Sequence, residues 1–130
     1  MKFLHIMVRV SDIDKSLKFY QEVLGLKHNR TKELKDATLY FLTDEKGCCE
    51  IELTYNHKLP EGGYSHGDYF GHLAFETSNI ESFSEKIKSL DIEYDRPPFL
   101  VTPTGPKIAF IKDPDGISIE IIERKVKESY

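Results

Sequence analysis

Two histidine–glutamate pairs recur in this chain at nearly the same spacing. His5 precedes Glu52 by 47 positions, and His72 precedes Glu120 by 48 positions. Imidazole nitrogens and carboxylate oxygens suit borderline divalent ions such as Ni²⁺, Co²⁺, Zn²⁺ or Mn²⁺. Each of these side chains, taken alone, is more often one that simply faces solvent. Their repetition favours one structural unit used twice, which would bring four ligands to one metal ion and leave coordination positions open for a substrate.

The elements that must position these side chains are predicted in the same order twice. Apolar and polar residues alternate over 3–10, which predicts a strand with His5 and Arg9 on the same face. In the first half a helix over 13–24 and strands near 26–31, 37–43 and 48–55 follow. In the second half the prediction is a strand over 70–77, a helix over 80–90, and strands near 92–96, 106–112 and 117–123. Both halves therefore have the order βαβββ.

The two halves also align residue by residue. A shift of 67 positions places His5 on His72, and one or two insertions bring Phe41 to Phe110 and Glu52 to Glu120. The sequence predicts an α+β fold in which two tandem βαβββ modules form a curled mixed sheet around a metal-binding groove. One domain, 1–130, is expected, with modules at about 1–56 and 70–124 and a linker at 57–69. The proline-rich stretch 96–106 is predicted to be a loop that could close over a site.

Composition limits the partners. A net charge of −4 gives no general attraction to nucleic acid or to an anionic membrane. The first ten residues are interrupted by His5 and Arg9 and suit neither a signal peptide nor a membrane span, so a cytoplasmic location is expected. Cys48 and Cys49 are adjacent and offer no disulfide framework.

The chain resembles the glyoxalase I (lactoylglutathione lyase) family of the vicinal-oxygen-chelate superfamily, whose members are built from paired βαβββ modules. The resemblance runs through nearly the whole chain in the right order. Its motifs are HIMVRV at 5–10, SLKFYQEVL at 16–24 followed by GL, IELTYN at 51–56, GH at 71–72, and DPDG at 113–116 leading to IEIIE at 119–123.

The resemblance implies a set of site residues. The metal ligands would be His5, Glu52, His72 and Glu120, and the glutathione contacts would be Arg9 and Asn56, with Lys107 as a further basic contact. Family members are typically homodimers, so His5 and Glu52 of one subunit would join His72 and Glu120 of the other at an interface site. Arg9 as a structural ion-pair residue and Asn56 as a cap of the strand end remain open alternatives.

The implied reaction is isomerisation of the methylglyoxal–glutathione hemithioacetal to S-D-lactoylglutathione. One divalent ion per site, Ni²⁺ or Co²⁺ in preference to Zn²⁺, would stabilise an ene-diolate. Glu120 would be the principal base and Glu52 a ligand that shares in proton transfer.

Other functions on the same scaffold remain open: acyl-thioester epimerase, thiol transferase, or metal-free small-molecule binding. Glu52 counts against the two enzymes, and the complete ligand set counts against a metal-free module. Two departures from the family, His57 for a tryptophan and Ile117 for an aromatic residue, bear on thiol selectivity.

Overall fold

A computed structural model of the chain describes residues 1–125, which fold into two compact units. The first unit is Met1–His66 and the second begins at Gly67, so the division falls inside the segment 57–69. Each unit has the order βαβββ, and its four strands form a mixed sheet. The predicted α+β class and the repeated module order are therefore confirmed.

The sheet of the first unit has the strand order β1-β4-β3-β2. Its strands are β1 (His5–Arg9), β2 (Lys27–Glu33), β3 (Ala37–Thr43) and β4 (Glu50–Asn56). β1 runs parallel to β4, and the remaining neighbours are antiparallel. A parallel pair needs a crossover connection, which a helix supplies between β1 and β2.

Helix α1 (Ile13–Lys18) continues as a π-helical turn, Phe19–Val23. Asp12 caps its beginning by accepting a hydrogen bond from the Lys15 backbone N–H at 3.2 Å. The chain leaves the helix at Gly25, whose φ of +72° favours glycine. Tyr20 on the helical segment and Leu53 on β4 are fully buried, so helix and sheet share an apolar core.

The second unit repeats this arrangement with the strand order β5-β8-β7-β6. Its elements are β5 (Leu73–Thr77), α2 (Ile80–Ser89), β6 (Arg96–Leu100), β7 (Lys107–Lys112) and β8 (Ser118–Glu123). The Asn79 side chain caps α2 by accepting from the Ser82 backbone N–H at 3.0 Å. Ile80 and Ile87 on the helix and Ile119 on β8 are buried. No helix within residues 1–125 is long and apolar enough to cross a membrane.

The strand predicted at 92–96 and the loop predicted at 96–106 are both wrong in part. The strand occupies Arg96–Leu100, and only the residues after it form turns before β7. Pro97 and Pro98 are tolerated there because β6 is an edge strand, and the pairing slips between Arg96 and Phe99 where the prolines cannot donate.

Strand register explains why the two histidine–glutamate pairs recur. In each unit one row of paired residues crosses the sheet and contains the glutamate. The rows are Arg30, Phe41, Glu52 and Met7 in the first unit, and Arg96, Phe110, Glu120 and Ala74 in the second. His5 and His72 each precede the last member of their row by two residues, so alternation puts each on the same face as the carboxylate.

Candidate metal centre and substrate cavity

The first pair joins the beginning of β1 to the middle of β4. His5 Nε2 lies 3.3 Å from Glu52 Oε1, and the two side chains are 36% and 10% exposed. The Thr54 hydroxyl, two residues along the strand, donates a hydrogen bond to Glu52 Oε2. One carboxylate oxygen therefore faces the imidazole while the other is fixed by a neighbour.

The second pair has the same geometry without that neighbour. His72 immediately precedes β5, and its Nε2 lies 3.6 Å from Glu120 Oε1, with the side chains 43% and 16% exposed. The position equivalent to Thr54 is Ile122, whose aliphatic side chain has no hydrogen-bond donor. The two carboxylates are consequently held differently.

Both pairs suit a divalent ion by donor type and spacing. Nitrogen and oxygen ligands bind such ions at about 2.0–2.2 Å, so two neighbouring ligand atoms on one ion lie about 3 Å apart. The 3.3 Å and 3.6 Å separations are close to this value. Among residues 1–125, neither unit groups three or more His, Cys, Asp or Glu side chains in a metal-binding arrangement. Each unit therefore offers two ligands.

An aromatic ring supports each histidine, a feature that the sequence did not reveal. Phe41 meets His5 edge-to-face with ring centroids 5.6 Å apart, and Phe110 meets His72 in the same way at 5.7 Å. The Arg30 guanidinium lies 3.6 Å above the Phe41 ring. The alignment of the two phenylalanines in the repeat was the available signal for these contacts.

Glu50 lies on the same face as Glu52 and is paired in register with His5, yet its carboxylate is engaged elsewhere. Arg30 Nη2 donates to Glu50 Oε1 at 2.9 Å, and Asn29 Nδ2 donates to Oε2 at 2.9 Å. These hydrogen bonds, that of Arg30 above all, hold the pKa of the Glu50 carboxyl below its usual value. Glu50 is thus an ion-pair partner of Arg30.

Arg9 and Asn56, the two predicted glutathione contacts, touch each other. Arg9 Nη1 donates to Asn56 Oδ1 at 2.6 Å, and the Tyr64 hydroxyl donates to the same oxygen at 3.2 Å. The three residues line a cavity of about 560 Å³ in the first unit. Sequence reasoning missed Tyr64, because it lies in the segment without a periodic pattern.

The remaining predicted contact, Lys107, opens β7 and is exposed. It precedes Phe110 by three residues, so strand alternation directs it to the opposite face from Phe110 and its paired Glu120. His57 shares a 2.9 Å hydrogen bond between its Nε2 and the Thr38 hydroxyl, which ties it to β3. Alternation therefore faces Lys107 away from Glu120, and His57 is engaged by Thr38.

Comparison with known proteins agrees with this architecture. The model of the Glyoxalase/Bleomycin resistance protein/Dioxygenase superfamily matches residues 2–121. The lactoylglutathione lyase of Haemophilus influenzae is 41% identical over 133 residues, covering 99% of this chain and 97% of that protein.

Two solved structures are also similar. Glyoxalase I from Zea mays matches with a TM-score of 0.84 and 34% identity over 97% of this chain, which spans only 46% of the maize chain. The trypanothione-dependent glyoxalase I of Leishmania major matches with a TM-score of 0.77 and 32% identity, over 95% of this chain and 86% of that one. This chain belongs to the Glyoxalase/Bleomycin resistance protein/Dioxygenase superfamily.

Proposed function

We propose that this chain is a metal-dependent lactoylglutathione lyase that detoxifies methylglyoxal by isomerising its hemithioacetal with glutathione to S-D-lactoylglutathione. The observation that carries the proposal is the duplicated His–Glu pair, with nitrogen–oxygen distances of 3.3 Å and 3.6 Å at equivalent positions of two like units. The 41% identity to a lactoylglutathione lyase along nearly the whole chain supports it.

The metal ligands in this proposal are His5, Glu52, His72 and Glu120, which hold one divalent ion per site. Ni²⁺ or Co²⁺ is preferred and Zn²⁺ is possible, because short chains of this type resemble the nickel- and cobalt-activated members of the family. Since each unit offers two ligands, a complete four-ligand site takes one pair from a first unit and one pair from a second unit. We propose a homodimer in which the two pairs come from different subunits.

A divalent ion held by His5, Glu52, His72 and Glu120 would supply Lewis-acid chemistry that makes the C1 proton of the substrate more acidic. Glu120 removes the proton from C1 of the hemithioacetal and returns it at C2. The C1 hydroxyl proton passes to the C2 oxygen, so C1 becomes the thioester carbonyl and C2 becomes the new alcohol carbon. Glu120 suits this role better than Glu52, because Thr54 already donates to Glu52 Oε2 and Ile122 makes no such contact with Glu120. Glu52 remains chiefly a ligand and shares in proton transfer.

Substrate binding is assigned to Arg9 and Asn56, which line the cavity of the first unit. Lys107 is the further basic contact that the family resemblance implies; it is exposed at the start of β7 and would have to reach the thiol from that strand end, since alternation faces it away from Glu120. Arg9 has guanidinium donors beyond the one that Asn56 accepts, and these can bind a carboxylate of the thiol. A small-molecule substrate and a cytoplasmic location complete the proposal, with neither nucleic acid nor membrane as a partner.

The test is an isomerase assay on metal-free protein reconstituted separately with Ni²⁺ and Zn²⁺, using methylglyoxal with glutathione and with other small thiols. We expect formation of the lactoyl thioester with Ni²⁺ and much less with Zn²⁺. Activity with Zn²⁺ alone would overturn the metal preference. Tight metal binding without turnover of any hemithioacetal would overturn the reaction and favour epimerase or thiol-transferase activity. Failure to bind any divalent ion would favour a binding module.

A further inference from the structure

The cavity of the first unit is built by the segment that follows β4. Its volume of about 560 Å³ is within the range of small-molecule sites. The lining residues are Arg9, Asn56, Lys58, Leu59, Pro60, Gly63, Tyr64 and Ser65. Six of these eight belong to the segment 57–66, which has little periodic pattern. The residues of this irregular segment therefore form most of the cavity wall.

Two glycines allow this segment to fold back on the end of β4. Gly62 and Gly63 have φ values of +78° and +82°, which other residues rarely adopt. The Gly63 backbone N–H donates to the Pro60 carbonyl at 3.1 Å and closes the turn. The turn delivers the Tyr64 hydroxyl to Asn56 Oδ1.

The contacts of Asn56 fix which end of its amide faces a ligand. Arg9 and Tyr64 both donate to Oδ1, at 2.6 Å and 3.2 Å. An amide oxygen has two lone pairs, and two donors use both, so the NH₂ group is the end that remains to donate. Tyr64 therefore acts on the ligand through Asn56.

The charges around the cavity have one sign. Arg9 and Lys58 are cations, and none of the lining residues, all of which lie within the described part of the chain, is Asp or Glu. Together with the Asn56 amide, these groups are hydrogen-bond donors that match a carboxylate. Leu59 and Pro60 supply apolar wall for the body of a ligand.

Arg9 and Asn56 are already assigned to a carboxylate of the thiol, and we propose that Lys58 and Tyr64, which line the same cavity, are further residues that determine thiol specificity by selecting a free carboxylate. Lys58 binds the carboxylate by charge, and Tyr64 is a positioning residue that holds the Asn56 amide ready to donate. A thiol whose carboxylates are capped as esters or amides is then a poor ligand. This inference rests on the proposed function for the identity of the thiol, but binding can be measured without turnover.

The experiment is calorimetric titration of the metal-loaded protein with S-methylglutathione, which cannot form a hemithioacetal, and with its dimethyl ester. We expect Lys58→Met to weaken S-methylglutathione binding by about 10-fold, which is the size of one hydrogen bond to a charged group. The same variant should leave binding of the ester nearly unchanged, and Lys58→Arg should restore binding of the acid. Lys18→Met, on the exposed side of α1, is the matched control and should match wild type.

Tyr64→Phe keeps the ring and removes only the hydroxyl. We expect about 3-fold weaker binding of S-methylglutathione and, in the isomerase assay, a raised KM with an unchanged kcat. The inference is overturned if Lys58→Met and Tyr64→Phe both bind S-methylglutathione as Lys18→Met does, or if wild type binds acid and ester equally. If the protein binds the acid selectively but shows no isomerase activity, the proposed function is contradicted while the assignment of the cavity is supported.

Discussion

His5 packs edge-to-face against Phe41, with ring centroids 5.6 Å apart and ring planes at 81°. His72 and Phe110 repeat the contact at 5.7 Å and 78°. Each phenylalanine is paired in register with the glutamate whose carboxylate faces the histidine, so one row of the sheet sets both the imidazole and the carboxylate. The ring contact limits how far the imidazole can turn away from the carboxylate.

Replacing Phe41 with leucine should weaken metal binding without abolishing the fold. An aromatic pair contributes about 0.5–1.5 kcal/mol beyond its buried area, which corresponds to about a 2- to 10-fold rise in the metal Kd. Competition titration with a metal-sensitive dye measures this change. Phe19→Leu is the control, since Phe19 is buried in the helical segment away from the pair and should alter thermal stability alone.

Removing the Thr54 hydroxyl should loosen Glu52. Partners that hold a metal ligand typically contribute 10–100-fold in metal affinity, and we expect Thr54→Val to cost about 10-fold. Metal affinity from the same competition titration tests this prediction. Ile122→Val is the matched control at the equivalent position of the second unit. Equal metal affinity of the two variants would show that the hydroxyl does not hold the ligand.

Much of this site follows from strand alternation and could be predicted from sequence. Residues two apart on a strand share a face, so alternation groups His5 with Arg9 and Glu52 with Asn56. The register of β1 against β4 is what places the two groups on one surface. The same rule cannot separate Glu50 from Glu52, which also share that face. Only the position of Arg30 on the edge strand β2, which is separated from β4 by β3, shows that Glu50 is already paired.

The parts that were not predicted depend on backbone geometry outside regular strands. The Tyr64–Asn56 hydrogen bond requires the turn at Gly62–Gly63, whose path no hydrophobic period encodes. The displaced strand β6 has a related cause. Pro97 and Pro98 indicate a loop by composition, while the edge of a sheet accepts them.

Glu120→Gln should remove catalysis while keeping most of the bound metal. The amide can still offer an oxygen to the ion but cannot take a proton, and a general base contributes about 10²–10⁴-fold to the rate. We expect at least about a 100-fold loss of kcat, measured beside metal content by atomic emission. Glu76→Gln, an exposed carboxylate on β5, is the control. Isomerase activity retained by Glu120→Gln would remove this residue from the base role.

The Arg30–Glu50 pair should stabilise the first unit measurably. Glu50 is 17% exposed and accepts from Arg30 at 2.9 Å, so a double-mutant cycle of Arg30→Met and Glu50→Gln in metal-free protein should give a coupling of about 1 kcal/mol. Urea unfolding supplies the four free energies. Lys112 and Asp95, 3.7 Å apart and each about half exposed, make the matched pair and should show coupling near zero.

Mixing two inactive variants tests whether one site draws on two chains. If each site takes Glu52 from one subunit and Glu120 from the other, a hybrid of Glu52→Ala and Glu120→Gln subunits has one intact site and one doubly damaged site, since Glu52→Ala removes a ligand and Glu120→Gln removes the base. Random exchange makes half of the dimers hybrids, so activity should recover to about a quarter of the wild-type value. Native mass spectrometry verifies that hybrids have formed.

The control for mixing pairs Glu52→Ala with His5→Ala, two lesions in the same unit. Each site of that hybrid keeps one lesion, so no activity should return even when exchange is complete. Ligand pairs that instead met within one chain would leave both mixtures inactive, since every chain would carry its own damaged site. A site shared between subunits therefore requires recovery in the first mixture and none in the second. Hybrids form in both mixtures, so the difference between them depends on which unit carries each lesion.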